Sequence, residues 1–229
     1  MNKNYSYIWI SLIVLIFGIY FVPKIVDRFA DGSNVKSDRL NVANKQELMV
    51  IAKAPEFSFT NQDNETISSK DYEGKVYLVE FFFANCPTIC PIMNENMVKI
   101  QNQFSKASDF GIASITIDPT NDTPEALKKH GIELGATSKN WHFLTGTEEN
   151  IFALAKKFNL HVGRNDEAAG GFEHSGLFAL IDKEGNIRSR KMENLDYPII
   201  YYDGTDDAGV KMLKEDIEKK FSNKGNEVV

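Results

Sequence analysis

The apolar positions of this chain follow three different rhythms. From Tyr5 to Val22 the sequence reads "YSYIWISLIVLIFGIYFV", with no charge on any face. About 18 such residues reach the lower end of the length that spans a hydrocarbon core. Tyr5, Tyr7 and Trp9 at one end and Tyr20 near the other have the placement of an interfacial aromatic belt. A core helix of a globular domain keeps a polar face, which this run lacks. A cleaved signal ends in small residues, whereas this run ends in "GIYFVPKIV". The pattern therefore predicts an uncleaved, single-pass transmembrane helix over residues 5–22 behind a short tail, residues 1–4. Lys3 precedes the span and Lys24 and Arg28 follow it, so flanking charge is nearly balanced. The large C-terminal region then favours export: an inner (cytoplasmic) membrane protein with its domain on the periplasmic or extracytoplasmic side.

The second rhythm is polar and mixed. Residues 23–53, with "DGSNVKSD" in the middle, read as a tether. From Ala54 onward apolar runs alternate with helical spacing. "EFSFTN" and "TISSKD" flank the turn-like "QDNE" and predict a hairpin. "KVYLVEFFFANC" is an almost unbroken apolar run, as in a strand buried on both faces, with Glu80 the exception. In "PIMNENMVKIQNQFSKA" the apolar residues fall at helical intervals. "GIASITID" and "WHFLTG" read as strands, and "TEENIFALAKKFNL" as a helix. "DTPEALKKHG" carries a cap-and-proline start and a stop at Gly131. "GRNDEAAGG" reads as a flexible loop, "HSGLFALIDKEGNIRSR" as a hairpin turning at "KEGN", and "DAGVKMLKEDIEKKF" as a terminal helix. Residues 223–229 read as a frayed tail.

Parallel strands joined by helices and closed by an antiparallel pair predict an α/β, thioredoxin-like domain over residues 54–222. Its chemistry would lie at the C-terminal ends of the strands. The net charge of −6 and a charged fraction of 25% describe a mildly acidic globular chain. That argues against a nucleic-acid partner, which would require clustered Lys and Arg.

Only two cysteines occur, Cys86 and Cys90, in "CPTICP" where the first buried strand gives way to a helix. A thiol at a helix start feels the positive end of the dipole, which favours the thiolate. Pro91 suits an early helix position. The local pattern thus predicts two exposed thiols of low pKa. A structural disulfide would close a very short loop and gain little. Redox enzymes of the thioredoxin type carry C-x-x-C; one extra residue widens the pair and leaves room for an ion. Two thiolates suit Cu(I) or zinc, but a closed zinc site wants four ligands. A dithiol–disulfide couple and a copper site with a histidine both remain open at this point.

Four histidines are candidates for a third ligand. His130 reads as a charge at a helix C-terminus, His142 as an edge-strand residue and His161 as a surface loop residue. His174, in "GGFEHSGLFALID", follows the glycine-rich loop and precedes an apolar strand, at a place that can close over a site.

Four segments together resemble the Sco/SenC family of membrane-anchored copper-binding proteins: "CPTICP" at 86–91, "IDPTNDTPEAL" at 117–127, "WHFLTG" at 141–146 and "EHSGLFALID" at 173–182. The resemblance runs from about Ala54 to the terminal helix. It implies one copper ion, Cu(I) or Cu(II), held by Cys86, Cys90 and His174. It implies that Cys86 and Cys90 can also form a redox-active disulfide. Asp118 matches an acidic residue linked to copper loading or partner contact. The implied task is that of a copper chaperone rather than an enzyme, delivering to the binuclear copper centre in subunit II of cytochrome c oxidase. A thiol–disulfide oxidoreductase acting on cysteines of that subunit, or of other envelope proteins, is the alternative. The sequence departs from the family at Thr88 and Glu173, each often Asp, and at "FFAN", often ending Tyr-Thr; no implied ligand is lost. The proline pattern that precedes a peroxidatic cysteine is absent before Cys86.

Overall fold

The computed structural model describes residues 11, 12, 14–22, 48–191 and 199–222. The chain divides into two units, Met1–Glu47 and Leu48–Val229. In the first, residues 11, 12 and 14–22 are helical, with exposed apolar side chains such as Leu15 and Ile19. Among the described residues no helix is long and apolar enough to cross a membrane. The tail at 1–4, the start of the expected span, the tether at 23–47 and the tail at 223–229 lie outside the described residues.

In chain order the second unit contains β1 (Met49–Lys53), β2 (Ser58–Asn61), β3 (Thr66–Ser68), a 3-10 turn (Ser69–Tyr72), β4 (Val76–Phe82), α1 (Cys90–Gln103), β5 (Phe110–Thr116), α2 (Pro124–Leu134), β6 (Trp141–Thr145), α3 (Glu148–Lys157), β7 (Val162–Arg164), β8 (Phe172–His174), β9 (Leu177–Ile181), β10 (Asn186–Ser189), β11 (Tyr202–Asp203) and α4 (Asp207–Ser222). The main sheet has the order β1-β10-β9-β4-β5-β6-β2-β3, with β11 also pairing β9. β4, β5 and β6 run parallel, and β9 is antiparallel to β4. α1 and α2, which join neighbouring parallel strands, pack against one another. α1 also packs against α4. Successive residues of β4 point to opposite faces. Phe81 meets Phe158 at the end of α3, whereas Phe82 stacks on His130 of α2. All of β4 is buried, as its apolar run predicts.

Five expectations are corrected. Residues 49–53, read as the end of the tether, form β1 along β10. α2 does not stop at Gly131; it runs on to Leu134 and is capped by Gly135 in the left-handed region, with φ 84°. Gly131 is instead a close-packing position, because a Cβ there would stand 2.9 Å from the Phe143 ring. His130 is therefore not at a helix end: its ring lies between Phe82 and Phe143, and burial lowers its pKa. His142 is not on an edge, since β6 is flanked by β5 and β2. The "GRNDEAAGG" segment is not a simple loop. Its first residues belong to β7, which pairs with β8 as a separate two-stranded ribbon.

Glu80 finds its place opposite Ser114 in the β4–β5 register. The Ser114 hydroxyl donates to Glu80 Oε1 at 2.6 Å, and Trp141 Nε1 donates to Ser114 Oγ at 2.9 Å. Glu80 Oε2 is buried with no hydrogen-bond partner among the described residues. Desolvation dominates the Ser114 bond and pushes the carboxyl from 4.5 up to about 7. Between those values the folded chain holds a proton that the unfolded chain has released, so stability falls as pH rises through the window. Glu80→Gln is therefore expected to leave stability at pH 4 unchanged. At pH 8 it should raise stability by about 3 kcal/mol, read from urea unfolding at the two pH values.

Candidate metal centre

β4 delivers the chain to the site. Immediately after it, Phe83 turns into the cysteine loop, and Cys86 N–H donates back to the Phe83 carbonyl at 3.2 Å. The buried Asp122 holds this loop: its Oδ2 accepts from Ala84 N–H at 3.0 Å and from the Thr116 hydroxyl. Cys90 is the first residue of α1 and Pro91 follows within the first turn, where its missing N–H costs nothing. His174 closes β8, opposite Val162.

The cysteine sulfurs and a His174 ring nitrogen all lie within 4.8 Å of one another. His174 Nε2 is 3.0 Å from Cys90 Sγ. Donors bound to one ion at about 2.0–2.3 Å stand no more than roughly 4.5 Å apart. A contraction of a few tenths of an ångström would therefore let all three share an ion. The donor set also fits a soft metal: two thiolates and an imidazole favour Cu(I) over hard cations. It is the only such group of three among the described residues.

His174 Nδ1 lies 3.1 Å from the Ser175 carbonyl. With the Nδ1 proton donated there, the Nε2 lone pair faces Cys90. Burial lowers the His174 pKa against the raising effect of that carbonyl, so the ring is neutral at pH 7. The Phe83 ring stands edge-on to it at 6.0 Å. The ribbon is braced from outside. His161 Nε2 and Asn165 Nδ2 meet the Glu173 carboxylate at 2.9 and 3.1 Å, and Arg164 Nε donates to Glu148 Oε1 at 2.9 Å. His161 is thus exposed as expected, paired with Glu173. At the ribbon's tip, Gly170 has φ 88° and packs so closely that a Cβ would stand 2.7 Å from Phe83.

The two thiols are not the exposed, equally acidic pair that the local pattern predicts. Phe83, Pro87 and the ribbon tip cover this end, and Cys86 is 8% and Cys90 1% exposed; both are free. Burial raises Cys86, but hydrogen bonds from Thr88 and Cys90 outweigh it and hold its pKa below the ordinary value. Burial pushes Cys90 well above its ordinary value, and the nearby Cys86 and Glu80 add to the rise. Asp118 is not in the donor group. It is nearly buried, and its carboxylate accepts from Asn121 Nδ2 at 2.7 Å. The residue that touches the cysteine loop is Asp122, four positions later in the same "DPTND" segment. Its two donors come from different strands' ends, which no local spacing encodes.

The SCO1/SenC family model matches residues 46–201. The chain belongs to the SCO1/SenC family. It is 33% identical over 151 residues to the SCO1 protein homolog of Bacillus subtilis strain 168, covering 64% of this chain and 78% of the relative. Among solved structures it is similar to BsSco, described as a member of the Sco family of cytochrome c oxidase assembly proteins. The TM-score is 0.63 at 28% identity, over 78% of this chain and 98% of that one. Yeast Sco1 with copper bound shares the fold, with a TM-score of 0.55 at 24% identity over 73% of this chain and 89% of that one. The thioredoxin-like α/β reading therefore holds. In the reduced, metal-free protein at pH 7.5, iodoacetamide is expected to alkylate Cys86 at least tenfold faster than Cys90, because only the thiolate reacts. Mass spectrometry of the peptide spanning both residues reads the order.

Proposed function

We propose that this SCO1/SenC protein is a membrane-anchored copper chaperone that holds one copper ion on Cys86, Cys90 and His174. It delivers that ion to the binuclear copper centre in subunit II of cytochrome c oxidase. The observation that carries the reading is the convergence of two sulfurs and a neutral imidazole from separate elements. The choice of copper rests on the softness of that donor set and on the family. The role in oxidase assembly is carried over from the described relative.

Each ligand enters in a different state. Cys86 gives up its proton more readily than a free thiol, whereas Cys90 gives up its proton only as the cargo arrives. His174 needs no deprotonation. Three donors leave a face of the ion open, through which a ligand of the partner can enter and take the metal stepwise. Exchange with a disulfide of an envelope oxidoreductase, which takes up the two electrons and the protons as its own dithiol, would join Cys86 and Cys90, remove both thiolates and release the cargo, so thiol redox state gates delivery. Asp118 serves loading or partner contact through the turn it shares with Asp122. The anchor over residues 5–22 holds the domain at the outer face of the cytoplasmic membrane.

The second reading, a thiol–disulfide oxidoreductase, draws on the split between the two thiols. Cys86 would attack and the buried Cys90 would resolve. It has no use for His174.

Copper titration of the reduced domain, residues 33–229, separates the two. One tightly bound copper per chain is expected, with a sulfur-to-Cu(II) charge-transfer band that is lost in His174→Ala, Cys86→Ala and Cys90→Ala. Full copper retention by His174→Ala would remove that residue from the ligand set. Absence of copper together with ready disulfide exchange would favour the oxidoreductase. Protease added to intact spheroplasts is expected to cleave the domain; complete protection would reverse the topology.

A further inference from the structure

The candidate ligands come from two separate segments. Cys86 and Cys90 lead into and open α1, while His174 arrives on a ribbon outside the main sheet. Besides the packing of the ribbon on Phe83, their distance depends on what joins the chain after His174 to α1. A two-bond relay does this. Asn96, on α1 and 3% exposed, donates from Nδ2 to the Gly204 carbonyl at 2.9 Å. Gly204 N–H donates in turn to the carbonyl of Gly176 at 2.7 Å, two residues beyond His174. Lys99 Nζ donates to Asn96 Oδ1 at 3.2 Å, which fixes the amide with Nδ2 toward Gly204.

The surroundings leave this relay little slack. A Cβ on Gly176 would stand 2.6 Å from Thr205 Cγ2 and 3.6 Å from Ile89 Cδ1. The backbone at 176 is therefore pressed between Thr205 and the residue just before Cys90. Thr205 is fixed by Asp203, whose Oδ1 accepts from its N–H at 2.8 Å and from its hydroxyl at 2.7 Å. β11 pairs Asp203 with Leu177 and Tyr202 with Phe178, so the same segment meets the exit of His174 twice. Tyr202 OH reaches the buried Asp216 of α4 at 2.8 Å, and Arg190 holds that carboxylate.

We propose that Asn96 is a positioning residue that sets where His174 stands relative to Cys90. The proposal rests on the reading of Cys86, Cys90 and His174 as a copper site. α1 then supplies one ligand at its first residue and, less than two turns later, the clamp for another. Without the Asn96 amide the buried Gly204 carbonyl loses its donor, and the 203–206 segment relaxes toward water. Gly176 and His174 follow, while the Cys86–Cys90 pair, fixed by β4, Asp122 and α1, stays in place.

The test is a double-mutant cycle in the full chain, with copper(I) affinity measured by competition with a chromophoric chelator. Asn96→Ala is expected to weaken copper(I) binding by about tenfold or more. In the His174→Ala background the same change should have no further effect, because the group it positions is gone. A loss of equal size in both backgrounds, or no loss in the otherwise intact chain, would overturn the proposal. Asn96→Asp keeps the side chain's size and, when ionised, cannot donate; it repeats the test if the alanine variant does not fold. If the intact chain takes up no copper(I), the chaperone reading fails, and the clamp is then judged on the metal-free protein. Amide hydrogen exchange should accelerate at residues 174–178 and stay unchanged at 78–84; acceleration at both, or at neither, would refute it.

Discussion

The functional end of this domain depends on the parallel ladder between β4 and β5. Seven residue pairs, from Val76 with Phe110 to Phe82 with Thr116, hold the two strands in register. Both strands are buried along their whole length. A shift of one residue would turn every side chain to the other face and place Glu80 away from Ser114. Because the register is fixed, β4 releases the chain at a defined point, and Phe83, Ala84 and Cys86 start from there. β5 ends at Thr116, whose hydroxyl meets Asp122, and Asp122 returns to Ala84. The cysteine loop is thus clamped between the ends of the two strands.

Burial divides the labour of two chemically identical groups. Cys86 and Cys90 are four residues apart and share one turn of chain. Hydrogen bonds to the sulfur outweigh desolvation at Cys86, and desolvation wins at Cys90. One thiol gives up its proton more readily than a free thiol, and the other holds it more tightly. Glu80 contributes to the second effect from beneath the helix, so the polar exception in β4 belongs to the electrostatics of the site. The imidazole completes the set as a neutral donor, its tautomer chosen by the adjacent carbonyl.

The fold was largely legible because its long elements carry strong periodic signals. The β4 run, the apolar spacing of α1 and α3, and the hairpin of β9 and β10 all stand where their patterns place them. The errors lie where a tertiary contact overrides a local cue. Gly131 looks like a helix stop, yet the space beside Phe143 admits only a glycine and the helix continues to Gly135. The polar stretch before Ala54 looks like a tether until β10 offers it a free edge. The glycine-rich segment looks like a loop because each strand of its ribbon is three residues long, too short for periodicity to register.

By itself the sequence determined the fold class, the two thiols at the end of a buried strand and the family to which "CPTICP" and "EHSGLFALID" belong. Those properties reside in patterns a few residues to a few turns long, which local backbone geometry converts directly into structure. Only the tertiary structure decided that His174 stands 3.0 Å from Cys90, that the thiols are covered and unequal, and that Asp122 rather than Asp118 grips the cysteine loop. Distances between groups 84 residues apart, and the desolvation each feels, depend on the packing of every element between them. No local pattern carries that information.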